Sequence, residues 1–162
     1  MVRAADSHSA SSGFPPASKR PAARSIPSSS LGWPPSGLPA SPFHARLSNL
    51  SRKKFLDVLL EPASTLYARM RGLMFRKKPA ALLFTFDWTD RHSIHSFFVA
   101  YPFDAIYLDE HGLVADVFHS VPPFSPLLTP RSGARYLLEL PDGGAARLNA
   151  RIGDPISICM RP

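Results

Sequence analysis

The stretch from Arg91 to His119, RHSIHSFFVAYPFDAIYLDEHGLVADVFH, leaves the chain little conformational freedom. Apolar runs, one proline and one tight turn follow each other with almost no slack. Ile94, Ser96, Phe98 and Ala100 alternate with His95, Phe97 and Val99, which predicts a strand apolar on both faces and therefore central in a sheet. Pro102 breaks the run, Phe103 plugs the end of the core, and DAIYLD over 104–109 opens the next strand. Asp109, Glu110, His111 and Gly112 are turn formers ending in a glycine able to take positive φ. The run LVADVFH over 113–119 then returns as the second arm of a hairpin.

The flanking segments supply the rest of a β-rich domain. KKFLDVLLE over 53–61 predicts a strand with Phe55 and Leu59 on one face and Leu56, Val58 and Leu60 largely on the other, ended by Pro62. Ser64 or Thr65 caps a short helix, LYARMR, with Leu66, Met70 and Leu73 forming its apolar side and Gly72 its stop. Arg76, Lys77 and Lys78 make a solvated turn. ALLFTF over 81–86 is a second, buried strand, and a polar loop from Asp87 to Arg91 holds Trp88 as a lid or a ligand contact. Four prolines between Ser120 and Gly133 make that segment a loop strapped across the body. RYLLEL at 135–140, a short helical piece in AARLNA and a closing strand ISICM complete the order.

Residues 1–50 are different in kind. They hold 8 of the 18 prolines among many serines, and their charge is 5 − 1 = +4 of the total +7. So little apolar surface does not offset an ordering entropy of roughly 1–2 kcal/mol per residue, which predicts a disordered leader over 1–50 and one domain over 51–162. The leader has no apolar core of about 7–15 residues such as a secretory signal carries. Its basic, serine-rich composition fits an organellar transit peptide and fits equally a start assigned too far upstream; the prolines oppose an amphipathic helix. The basic pI owes more to this tail than to the domain, which argues against nucleic-acid binding. No apolar run approaches the about 20 residues that cross a bilayer. A lone Cys159, predicted to be a buried structural thiol, allows no intrachain disulfide, and the expected location is the cytoplasm.

Taken together, RGLMFR at 71–76, LLFTF at 82–86, SIHSFFVAYPFDAIYLDEHGLV at 93–114, YLLELPDGGAARLNARIGD at 136–154 and the last strand resemble the domain-of-unknown-function family 192 of bacteria and archaea. The resemblance covers about residues 52–160. It implies a compact β-rich α+β domain with a barrel-like, mostly antiparallel sheet and short helices, and it assigns no activity. Ala81-Leu82 and the run Ile94 to Phe97 depart from the residues common in that family, whereas Pro102-Phe103-Asp104 is kept.

The chemistry-bearing residues form no established catalytic pattern. His92 and His95 point to opposite faces of a strand, and no metal or cofactor is expected. Asp104, His95 and His119 supply types for a hydrolase-like site, with Ser120 beside them, yet no nucleophile elbow places them together. Glu139, set between leucines, needs a partner, and Arg71 or Arg135 is the expected one. The favoured reading is a non-enzymatic accessory domain that binds a small ligand or a peptide. Its cleft lies between the proline-rich loop and the 91–112 region and is lined by Trp88, Tyr101, Phe103, Asp104 and Phe124. The oligomeric state is left open.

Overall fold

In the computed structural model, which describes residues 33, 37–63 and 65–162, one sheet of seven strands carries the domain. In chain order the elements are β1 Phe43–Asn49, β2 Lys54–Ala63, α1 Leu66–Arg71, β3 Ala81–Asp90, β4 Phe103–Leu108, β5 Val114–Val121, β6 Ala134–Pro141, α2 Gly144–Leu148 and β7 Ile156–Met160. The strands lie in the order β5-β4-β6-β3-β2-β1-β7, antiparallel except for the parallel pair β2–β3. A parallel pair needs a crossover, and α1 lies on it. The sheet curls into a half-barrel until its edges touch: the Val114 amide donates to the Asp154 carbonyl at 2.9 Å and that of Ile156 to the Gly112 carbonyl at 2.9 Å.

Strand alternation divides the core in two. Leu83, Ile106, Leu138 and Leu140 face the inside of the curl, where Ala45, Leu47, Ile156 and Leu148 of α2 meet them. Their neighbours Leu82, Phe84, Phe103, Ala105, Tyr107 and Leu137 face outward and would be wet without cover. Leu73 after α1, Val99 from the 91–102 segment and Val121 provide it. The candidate site lies in this second, outer layer.

The hairpin is as read: β4 and β5 pair around Asp109–Gly112, whose glycine has φ 79°. The segment Ile94–Ala100 is not a strand. Its sole ladder contact is the bridge between Ile94 and Leu128, and Phe98 sits at φ 58° with more than half of its surface exposed. The run is apolar on both sides because it is a covering loop whose residues split between core and solvent. The buried one among its polar residues, Ser96, donates its hydroxyl to the Pro122 carbonyl at 2.7 Å and accepts from the Ser125 amide at 2.6 Å, which ties the proline-rich strap down.

Other boundaries shift for local reasons. Folded structure begins before residue 51, because β1 lies inside the segment read as leader and pairs with both β2 and β7. The remainder of that segment falls outside the described residues, Trp33, 37–42 and Leu50 apart. Pro62 does not end β2. With β1 finished opposite Leu60, Pro62 has a partner strand on one side only, a setting that tolerates its missing N–H. β3 runs on through Asp87–Asp90, the predicted polar loop, so Trp88 is an exposed strand residue rather than a lid. Thr65 caps α1 by accepting from the Ala68 amide at 3.1 Å, and Gly72 closes it, but Met70 is exposed, unlike Leu73. Cys159 is exposed too, since Ile156 and Ile158 take the inward positions of β7.

Candidate functional site

Between α1, the 93–99 loop and the outward face of β3, β6 and β4 lies a partly open cleft of about 140 Å³. Arg69, Met70 and Arg71 stand on the α1 side, and Ile94, His95 and Val99 on the loop side. Phe84, Phe103 and Glu139 come from the sheet. Each sheet residue is there by register. Glu139 pairs with Leu82 of β3 and Ala105 of β4, so it shares their outward face with Phe84 and Phe103 one step away.

Glu139 is buried, and its Oε2 has no hydrogen-bond partner. Neither Arg71 nor Arg135 pairs with it, contrary to the expected ion pair. The charge acting on it is that of Arg76, which is committed elsewhere. Its Nη1 and Nη2 donate to Glu61 at 3.0 and 2.7 Å, and its Nε donates to the Gly72 carbonyl at 3.1 Å. Arg76 is thus a clamp joining β2 to the end of α1, not part of a solvated turn. Burial pushes the Glu139 carboxyl up to about 8, with the Arg76 charge pulling back only in part. At neutral pH the group is mostly the neutral acid, offering one O–H donor and one carbonyl acceptor to whatever enters.

Of the five residues predicted to line a site, Phe103 is in the cleft wall. Trp88 is exposed on β3, and Phe124 is exposed in the strap at φ 62°. Tyr101 donates its hydroxyl to the Lys78 carbonyl at 3.0 Å, and burial raises its pKa. Asp104 is buried on the other face of β4, where its carboxylate accepts from the Ser120 amide and the Ala145 amide, each at 2.8 Å. It fastens α2 and β5 to the sheet. Of the trio weighed for hydrolysis, His95 reaches the cleft; Asp104 and His119 do not line it. His92 stacks on Phe86 at 3.8 Å and contacts the Trp88 carbonyl at 2.9 Å. Among the described residues no group of three or more His, Cys, Asp or Glu could hold a metal ion, and no helix is long and apolar enough to cross a membrane.

Sequence reasoning missed the depth of Glu139 and the parts played by Gly72, Phe84 and Val99. The visible signal was the carboxylate between leucines in LLEL. Its surroundings come from strands and loops distant in sequence.

Fold and site define a small β-rich α+β domain, a curled mixed sheet whose outer layer encloses a buried carboxyl. The chain belongs to the DUF192 family, described as "Uncharacterized ACR", whose profile matches residues 48–158. A UPF0127 protein of Thermococcus sibiricus is 35% identical over 113 residues, spanning 68% of this chain and 72% of that relative. The UPF0127 protein PH1112 of Pyrococcus horikoshii is 35% identical over 96 residues, spanning 58% of this chain and 82% of that one. Among solved structures, a Sinorhizobium meliloti protein provisionally described as a transcription regulator superposes with a TM-score of 0.65 at 25% identity, covering 74% of this chain and 95% of that one. A Novosphingobium aromaticivorans protein of unknown function gives a TM-score of 0.64 at 23% identity over 76% and 89% of the two chains, a likeness of fold alone.

Proposed function

We propose that this protein is a small-ligand-binding domain whose ligand enters the cleft beside α1 and meets Glu139 as its polar contact. The observation that carries the reading is the unpartnered Oε2 of a buried carboxyl bordering an open space. A buried polar atom without a partner costs about 1–3 kcal/mol, so a molecule that supplies the missing bond recovers that cost on binding. Pockets for drug-sized molecules run to about 300–1,000 Å³, so a cleft of about 140 Å³ takes a small molecule or one side chain of a peptide. Phe84, Val99 and Phe103 give it an apolar wall, while Arg71 at the helix side, unlike Arg69, which is held by Asp87, favours a ligand with acceptor oxygens. Phe103 is kept from the predicted lining; Trp88, Tyr101, Asp104 and Phe124 stand outside this cleft.

A fragment screen by amide NMR tests the reading. Binders bearing a carbonyl or carboxylate should shift the amides of Gly72, Val99 and Glu139 together, and Glu139→Leu should abolish that response while the fold persists. Fragments that bind only elsewhere, or with undiminished affinity to the leucine variant, would overturn it.

A further inference from the structure

Three phenylalanines hold backbone conformations that their side chains disfavour. Phe75, Phe98 and Phe124 have φ of 58°, 58° and 62°, the left-handed region where Gly and Asn are at ease and a bulky residue is strained. None is held there by burial of its ring, since their exposures are 68%, 54% and 62%. The three segments that carry them are joined. The Phe75 amide donates to the Phe98 carbonyl at 3.0 Å, their rings stack with centroids 5.0 Å apart, and the Phe124 amide donates to the Ser96 carbonyl at 3.0 Å. Met70, at the cleft mouth, and Leu127, in the strap, are exposed as well.

Within the segments that carry these side chains, charge has one sign. The segments 64–80, 91–102 and 117–133 contain several Lys and Arg and not one Asp or Glu. Glu61 and Asp87, on neighbouring strands, engage Arg76 and Arg69. Among the described residues no carboxylate lies within ion-pair distance of Arg71, Lys77 or Lys78. Strained, exposed aromatics beside uncompensated cations are an expensive arrangement for a surface that meets only water.

We propose that this end of the domain docks on an anionic lipid surface, with Phe75, Phe98 and Phe124 entering the headgroup region and Arg71, Lys77 and Lys78 facing the lipid phosphates. A bilayer is favoured over an acidic protein because each apolar tip stands more than half exposed rather than sunk in a shared groove, and a lipid interface needs no shape complementarity. Lysine and arginine near such a surface add attraction that salt screens.

The test is sedimentation of the full chain with vesicles of phosphatidylcholine alone and of phosphatidylcholine mixed with phosphatidylserine. Binding should require phosphatidylserine and weaken with salt. The triple variant Phe75→Asn, Phe98→Asn, Phe124→Asn suits the left-handed backbone, so it should keep or raise the melting temperature while losing vesicle affinity by about tenfold or more. Lys77→Gln with Lys78→Gln, on exposed side chains, should weaken binding without altering the fold, and decides the matter if the triple variant unfolds. Absence of wild-type binding to phosphatidylserine vesicles would overturn the proposal. Undiminished binding by these variants would overturn it too, assigning the contact to the basic N-terminal segment. Binding of polyglutamate with the same phenylalanine dependence would overturn it in favour of an acidic protein partner.

Discussion

Gly72 packs against Glu139 in the wall of the cleft: a β-carbon on Gly72 would stand 3.7 Å from Glu139 Oε2 and 3.5 Å from the tip of the Phe84 ring. Space therefore permits a methyl group, but the backbone does not. With φ 46° and ψ −126°, Gly72 occupies a region almost closed to other residues. Gly72→Ala should cost about 1–3 kcal/mol, read as a lower denaturation midpoint with an unchanged slope.

Glu139 makes stability depend on pH in a direction opposite to that of an ion-paired carboxylate. It titrates at about 8 when folded, against an ordinary 4.5. Between those values the folded chain holds a proton that the unfolded chain has released, so the contribution is least unfavourable below the unfolded value and stability falls as pH rises toward 8. Glu139→Gln removes the titration. Urea denaturation should show the variant gaining on the wild type between about pH 4 and pH 9, by a few kcal/mol in total. A wild type that instead gains over that range would mean a carboxylate paired and ionised in the folded state.

Asp104 is read as a fastener rather than an acid–base group. Its two oxygens accept from the amides of Ser120 and Ala145, so Asp104→Ala leaves two amide donors without their acceptor. The expected loss is about 2–4 kcal/mol. Hydrogen exchange should show α2 losing protection first, because Ala145 lies in its first turn.

Asn49 joins the first strand to the last turn. Its side-chain amide donates to the Leu148 carbonyl at 3.2 Å and to Asp154 at 2.9 Å, and Asp154 also receives Arg52 at 3.1 Å. A chain beginning at Ser51 lacks this anchor and the strand that separates β2 from β7. It should show no cooperative thermal transition, whereas Asn49→Ala in the full chain should fold with a loss of about 2–4 kcal/mol.

Elements defined by neighbours in sequence were the legible ones. The turn Asp109–Gly112, the helix stop at Gly72, though with φ 46° and ψ −126° rather than the αL geometry, and the alternation of β2 all rest on contacts within a few residues. The strand β1 was hidden because FHARLSN fully buries only Ala45, Leu47 and Asn49, with Phe43 partly covered, a faint signal within fifty residues dominated by proline and serine. Ile94–Ala100 misled for the opposite reason: a covering loop can be as apolar as a central strand, and alternation does not tell them apart. At Glu139 the need for a partner was readable, but its isolation was not, since the Arg76 that could serve it is spent on Glu61.

The position of β1 between β2 and β7 sets a schedule for synthesis. β1 and β2 can pair as soon as both have emerged, but the far edge of β1 waits for residues 156–160 to be made. Until then Ala45 to Asn49 present unpaired backbone groups to every other nascent chain nearby, and the inner core lacks its last wall. Such late, distant pairings fold slowly and invite strand exchange between molecules. Yield of this protein on expression should therefore respond more to temperature and chaperone supply than its finished stability alone would suggest.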